Sequence, residues 1–209
     1  MGKLKTACAV LGMISTNCYF AENTETGEVL IIDPADDAFA VRGWCLNDGR
    51  KPAAILLTHG HFDHMGAADE LRKSLGIQVY AAKAEAPLLA SAADNLSAAW
   101  SSPVTLKADV ELEDGQELFL AGFRIQVIAT PGHTAGGLCY YLPEENTLFS
   151  GDTLFLGSYG RVDFPTSSMA DMKRSVKEKL LVLPEDTTVF PGHGEATTIG
   201  YEKMYNPLA

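Results

Sequence analysis

Basic residues are few in this 209-residue chain, 16 Lys and Arg against 27 Asp and Glu, and histidine and cysteine number only five and four. The lack of positive charge excludes a class of partners. With a net charge of −11 and a pI near 4.8 there is no basic run to neutralise phosphates, so nucleic acid is not an expected partner. The same balance opposes docking on an anionic membrane. No apolar run approaches the roughly 20 residues that span a bilayer. The segment Met1 to Val10 holds two lysines but no adequate apolar core and no clear cleavage site, so no secretory leader is read. The cysteines, Cys8, Cys18, Cys45 and Cys139, include no Cys-x-x-Cys pair and stand apart from every histidine motif. That argues against a disulfide framework and makes a reduced, cytoplasmic setting the expectation. Cys139, in an apolar strand-like run, reads as a small core residue. Gly-x-Ser-x-Gly is absent as well, so no serine nucleophile elbow is present.

What is present is a globular composition, 46% hydrophobic, enough to fill the core of one domain over residues 1–209. Ala7 to Leu11, Asn17 to Phe20 and Glu28 to Ile32 read as early strands, the last two joined as a hairpin through Asn23 to Gly27. Asp33-Pro34 ends the third strand, and Asp33 reads as a turn former rather than a site residue. Ala38 to Leu46 is a helix candidate. Ala53 to Leu57 has no polar interruption and reads as a strand buried on both faces. Met65 to Leu75 carries helical spacing, with Gly76 as its stop. Ile77 to Ala81 is a further strand and Lys83 to Ser91 an alanine-rich helical piece. Asp94 to Ser102 is a loop or short helix beside the site. Strands follow at Glu117 to Leu120, Phe123 to Ala129, Leu138 to Leu142 and Thr147 to Phe149. A helix capped by Ser167 or Ser168 runs to about Leu183, with Met172, Val176, Leu180 and Leu183 as a core-facing stripe. This pattern alone establishes mixed α/β with substantial sheet.

The chemistry is concentrated. Thr58-His59-Gly60-His61-Phe62-Asp63-His64 puts three of the five histidines and an aspartate into the turn that follows the buried strand. His133 and His193 each sit in Pro-Gly-His after an apolar run, so no histidine is left for ordinary use. Strand, polar turn, helix is a rigid mount for metal ligands. His59 and His61 can converge on one ion, while Asp63 and His64, pointing elsewhere, suggest a second.

The set His59-x-His61-x-Asp63-His64, His133, Asp152 in Ser-Gly-Asp-Thr, and His193 resembles the five-part pattern of metallo-β-lactamase-fold hydrolases. Gly151-Asp152-Thr153-Leu154-Phe155, Gly160-Arg161-x-Asp163 and the closing Pro191-Gly192-His193-Gly194-Glu195 are similar to the glyoxalase II branch, in its short bacterial form. The resemblance runs from about Asn17 to Pro207. It implies an α/β fold of the four-layer αββα sandwich type, residues 1 to about 100 forming one half and 101 to 209 the other. It implies two divalent metal ions, zinc by first expectation, with iron and manganese also compatible. His59, His61 and His133 would hold the first ion, and Asp63, His64 and His193 the second. Asp152 would bridge them, so Asp63 and Asp152 are the carboxylates expected in catalysis.

A metal-bound hydroxide would then attack a small-molecule thioester such as S-lactoylglutathione. Thr58 and Thr134 are candidates for supporting the ligands. Arg161 and Asp163 read as an ion pair fixing the loop after Asp152; the alternative is that Arg161 meets a substrate carboxylate and Tyr159 lines the pocket. Larger glyoxalase II enzymes carry a further helical region for glutathione, whereas here only sixteen residues follow His193, so weak recognition of the tripeptide is expected. Two alternatives share the fold. One is a mononuclear iron persulfide dioxygenase using His59, His133 and Asp152; the other is a lactonase. No signal for a protein partner is visible.

Overall fold

The computed structural model of the protein describes residues 3–209; Met1 and Gly2, at the head of the segment read for a leader, lie outside it. The chain builds fourteen strands and seven α-helices among these residues. In the first half these are β1 (Leu4–Leu11), β2 (Thr16–Asn23), β3 (Glu28–Ile32), α1 (Ala38–Leu46), β4 (Lys51–Leu56), α2 (Phe62–Met65), α3 (Ala68–Leu75), β5 (Gln78–Ala82), α4 (Ala86–Leu89), α5 (Ser97–Trp100) and β6 (Val110–Leu112). In the second they are β7 (Glu117–Leu120), β8 (Phe123–Ala129), β9 (Leu138–Leu142), β10 (Thr147–Gly151), β11 (Leu154–Phe155), β12 (Ser158–Tyr159), α6 (Met169–Arg174), β13 (Thr188–Pro191), β14 (Thr197–Thr198) and α7 (Ile199–Tyr205).

Two six-stranded sheets result, in the orders β1-β2-β3-β4-β5-β6 and β14-β13-β10-β9-β8-β7. Strand alternation assigns the layers. On β3 and β4, Leu30, Ile32, Ala54 and Leu56 face inward and meet Phe123, Ile125, Val127, Tyr140 and Phe149 of the second sheet. The odd-numbered Val29, Ile31, Ile55 and Leu57 face outward, under Val41 and Cys45 of α1 and Ala68 and Leu71 of α3. On the far side, Cys139, Tyr141, Leu148 and Val189 lie under Met172, Val176, Leu180 and Ile199. Helix, sheet, sheet, helix is the αββα sandwich, and β4 is buried on both faces as its unbroken apolar run requires. Each large aliphatic so buried contributes about 1.5–3 kcal/mol.

Three details differ from the sequence reading. The first half extends to Leu112, because β6 pairs in parallel with β5 on the edge of the first sheet. The helix expected over Met65 to Leu75 is two, since Ala67 N–H donates to the Pro34 carbonyl (2.9 Å) instead of continuing the α2 ladder. Gly76 does stop α3 in the left-handed region (φ 66°). Past α6, which Ser168 caps, the helix widens into π turns over Ser175–Leu180 and ends short of Leu183. All four cysteines are free thiols, with Cys139 in the core as expected. No helix among the described residues is long and apolar enough to cross a membrane.

The ordering of strands also fixes where loops gather. β3, β4 and β5 run parallel in the first sheet, and β10 and β13 run parallel in the second, with β8 in the same sense across β9. The segments leaving β3, β4, β8, β10 and β13 therefore emerge along one edge. Open α/β sheets place ligand sites there, outside the carboxyl ends of parallel strands.

Candidate metal centre

All seven residues read as ligands come together at this edge. The loop after β4 brings His59 and His61, and α2 carries Asp63 and His64. The loops after β8, β10 and β13 bring His133, Asp152 and His193. Three groups form with one ligand atom per residue mutually within 4.8 Å: two triads, His59–His61–His133 and Asp63–His64–His193, and a third set, His59–His64–Asp152, that spans them.

In the first triad His61 Nδ1 lies 3.1 Å from His59 Nε2 and 3.0 Å from His133 Nε2. A tetrahedral ion with bonds of ~2.05 Å holds its nitrogen ligands about 3.4 Å apart, close to this spacing. The rings stand at 86–89° to one another, so they converge by their nitrogen edges rather than by stacking. In the second, His64 Nε2 and His193 Nε2 are 3.5 and 3.4 Å from Asp63 Oδ2. Asp152 stands between the two: its Oδ2 is 3.4 Å from His133 Nε2 and 3.6 Å from His193 Nε2, and its Oδ1 is 3.5 Å from His64 Nε2. Gly192 makes this approach possible, since a Cβ there would collide with Asp152 Oδ1 and lie 2.7 Å from His64 Cε1.

The hydrogen bonds behind the rings decide which nitrogen carries a lone pair. His133 Nδ1 lies 2.8 Å from the Arg161 carbonyl, which can only accept, so Nδ1 is the protonated nitrogen and Nε2 is free. The Asp33 carboxylate accepts from His64 Nδ1 (2.9 Å), which frees His64 Nε2. It also accepts from the Thr58 hydroxyl (2.6 Å), leaving Thr58 Oγ1 to accept from His59 Nδ1 (3.1 Å), which frees His59 Nε2. Asp33 does end β3, at φ 50°, but the turn-former reading missed that its carboxylate orients two ligand rings through this one network. Thr58 acts as expected. Thr134 is buried, and its hydroxyl bonds to no ligand ring. Thr16, not foreseen, donates to Asp63 Oδ2 at 2.9 Å, and Asn17 Nδ2 holds the Pro191 and Gly194 carbonyls on either side of His193.

The electrostatics suit cations. Burial, then the neighbouring imidazoles His64 and His133, holds His59 well below the usual histidine range; burial and His133 bring His61 down to about 3. Both rings are thus neutral, as ligation requires. Burial alone would lower His64 too, but Asp63, Asp152 and Asp33 outweigh it and push it up to about 10. The pocket between these carboxylates favours positive charge. His64 Nε2 and Asp152 Oδ1 are buried polar atoms with no hydrogen-bond partner, and both point into the cluster, where an ion would satisfy them.

The sequence matches the profile of the Metallo-beta-lactamase superfamily over residues 11–193. The chain belongs to that superfamily. It is 39% identical over 200 residues to the Bacillus subtilis protein named probable metallo-hydrolase YqgX, covering 95% of this chain and 94% of that one. It is 36% identical over 184 residues to the hydroxyacylglutathione hydrolase GloC of Haemophilus influenzae, covering 85% of each. Among solved structures, BLEG-1 B3 metallo-beta-lactamase superposes with a TM-score of 0.92 at 40% identity, over 97% of this chain and 98% of that one. TTHA1623 in a di-iron-bound form superposes with a TM-score of 0.86 at 39% identity, over 97% and 100%. The chain is thus a metallo-hydrolase of this superfamily, and the cluster is its candidate divalent-metal site.

Above the cluster this metallo-hydrolase has a cavity of about 510 Å³, with His61, Asp63, His133, Asp152 and His193 on its floor. Arg161 is at its rim, but its guanidinium is held by Asp163 (3.0 and 2.9 Å) and lies over the Phe164 ring. Tyr159, read as a pocket residue, is a correction. It pairs across the β11–β12 ladder with buried Leu154, and cross-strand partners share a face, so it packs into the outer core. Phe155, one position on, faces the cavity instead. Leu96 and Trp100 of the segment expected beside the site do line it, joined by Met13 and Ile14 of the β1–β2 turn, which the sequence reading passed over.

Proposed function

We propose that the protein is a two-metal hydrolase of thioesters, with His59, His61 and His133 holding one ion, Asp63, His64 and His193 the other, and Asp152 both. Zinc fits the donor set, and iron and manganese are compatible with it. The observation that carries the reading is the position of Asp152, within 3.6 Å of ligand nitrogens from both triads. When bound, the cation pair lowers the pKa of a shared water to about neutrality and screens charge growing on the substrate oxygen.

The chain's own residues do the rest. Asp33 and Thr58 hold His59 and His64 in one tautomer, and Thr16 keeps Asp63 from swinging while it orients incoming water. Water adds to the carbonyl carbon, the C–S bond breaks, and a carboxylic acid and a thiol result. The histidines and carboxylates on the cavity floor are all committed as ligands and Arg161 is tied to Asp163, so no free general acid waits for the leaving group. A thiolate, with an ordinary pKa of about 8.5, needs none, unlike the amine expelled from an amide. The likeness to a relative named hydroxyacylglutathione hydrolase supports the same class.

The test is to reconstitute the protein with zinc, iron or manganese, measure metal content, and assay S-lactoylglutathione, simpler thioesters and glutathione persulfide side by side. Two metals per chain with thioester cleavage is the expected result. One iron per chain, oxygen uptake with the persulfide and no thioester cleavage would replace this reading with the dioxygenase.

A further inference from the structure

We infer that the cavity selects an uncharged, apolar acyl chain longer than lactoyl; this rests on the thioesterase reading for the reaction and on the cavity walls for the chain. Above the floor of candidate ligands the walls are mostly apolar, Met13, Ile14, Leu96, Trp100, Phe155 and Phe164, with Arg161 at the rim. Met13, Ile14 and Trp100 are 70%, 42% and 61% exposed. Single exposed hydrophobes are ordinary, but here they meet from the β1–β2 turn and from α5, making a patch that a ligand would cover. Both segments are also held in an unusual backbone: Leu96 lies at φ 70° and Ser15, next to Ile14, at φ 61°. Non-glycine residues in the left-handed region are costly and gather at ligand clamps.

Charge excludes the alternative occupant. Arg161 is the one cation among the lining residues, and Asp163 already takes both arms of its fork. The neighbouring groove shares Met13, Phe62 and Asp63 with this cavity, adds Asp36, and offers no cation either. The two carboxylates of a glutathionyl group thus find no counter-ion on either side, whereas an alkyl or aryl acyl group finds a wall. Metal chemistry at the floor acts on the carbonyl whatever is attached, so the walls decide which acyl group is retained.

The experiment uses metal-reconstituted protein and acetyl, butanoyl, hexanoyl and octanoyl thioesters of one small neutral thiol, N-acetylcysteamine, beside S-lactoylglutathione. Each methylene should raise kcat/KM about fourfold until the cavity is full, the factor that burying one methylene supplies. The hexanoyl ester should exceed S-lactoylglutathione. Trp100→Ala and Met13→Ala should each cut the hexanoyl-to-acetyl ratio about tenfold, equivalent to burying one or two methylenes fewer. Phe119→Ala, at an exposed residue on β7 away from the cavity, should leave that ratio unchanged.

A second arm reads binding without turnover: acetyl to octanoyl hydroxamates, which chelate the metals by their headgroup, titrated calorimetrically into the same protein. Kd should fall with chain length by the same factor. Thioester cleavage with a flat or falling chain-length profile overturns the inference and leaves the thioesterase reading standing. Hydroxamate affinity that rises with chain length, with no thioester cleaved, overturns the thioesterase reading and leaves the apolar chain. Flat hydroxamate affinity overturns the inference by itself.

Discussion

Glu85 is 1% exposed, and its two carboxylate oxygens each take a backbone N–H: Oε2 from Gly60 (2.9 Å) and Oε1 from Gly136 (2.7 Å). Gly60 lies between His59 and His61, and Gly136 is three residues past His133, so one side chain ties together the two loops that bring the first triad. Glu85→Gln preserves the shape but turns one acceptor into a donor, facing one of those N–H groups. It loses a charge-assisted bond worth about 1.5–3 kcal/mol and strands a buried donor at about 1–3 kcal/mol. Against this, it removes a buried charge whose desolvation already pushes the Glu85 pKa up. The net expectation is destabilisation by about 2 kcal/mol, a Tm lower by about 4–8 °C for a chain of this size. Its pH dependence has a definite sign. A carboxyl whose folded pKa is raised binds its proton more tightly folded than unfolded, so its contribution is complete below the ordinary glutamate range and is lost as pH rises through the raised value. The gap between wild type and Glu85→Gln should narrow across that window. Urea unfolding of the metal-free proteins at a series of pH values measures it, and a zinc titration against a chelating dye shows whether the first triad has loosened. A variant within 0.5 kcal/mol of wild type, on the order of an unremarkable surface change, with unaltered metal affinity, would refute the clamp.

Asp152→Ala should abolish hydrolysis and lower metal content together, and should hurt more than Asp63→Ala, because the Asp152 carboxylate lies within 3.6 Å of nitrogens from both triads; a variant at Asp152 that keeps two metals and near-native turnover would contradict the dinuclear mechanism. Asp33→Asn should weaken metal binding about 10–100-fold while the fold survives, since the rings of His59 and His64 lose their common anchor; dye competition within a few-fold of wild type would count against that network. S-lactoylglutathione should be turned over with a weak KM and exceed a lactoyl thioester of a small thiol by less than about a thousandfold, roughly 4 kcal/mol; a larger preference would require a tripeptide site, for which the lone lining cation, Arg161, is already paired to Asp163.

Legibility followed the range over which a residue's role is decided. Six of the seven candidate ligands were legible because metal binding needs donors in short runs on rigid turns, and His59 to His64, Pro-Gly-His133 and Pro-Gly-His193 write that within a few positions each; Asp152 was legible only through the family resemblance. The layers were legible only in part: the unbroken apolar run of β4 announced a strand covered on both faces, while the αββα order came from the family resemblance. Asp33 and Glu85 carry their meaning elsewhere: 25 residues separate Asp33 from Thr58, and 51 separate Glu85 from Gly136. A buried carboxylate is costly unless bonded, and nothing near Glu85 in an alanine-rich stretch announces that its partners are two distant backbone N–H groups. Met13 and Ile14 were invisible for a related reason, since a lone apolar residue in a turn has no meaning until the fold sets it beside another.

The π turns of Ser175–Leu180 show the converse, a local stripe setting backbone geometry. Met172, Val176 and Leu180 recur strictly every four residues, and on a helix of 3.6 residues per turn that stripe drifts about 40° at each step. All three are nonetheless fully buried against the second sheet. Widening the turns after Arg174 cancels the drift and keeps Val176 and Leu180 on the face that Met172 began. The spacing thus held more than the reading took from it. A stripe of period four, rather than the 3.6 of an ordinary amphipathic helix, asks for extra backbone per turn, and this helix supplies it just where the stripe would otherwise leave the core.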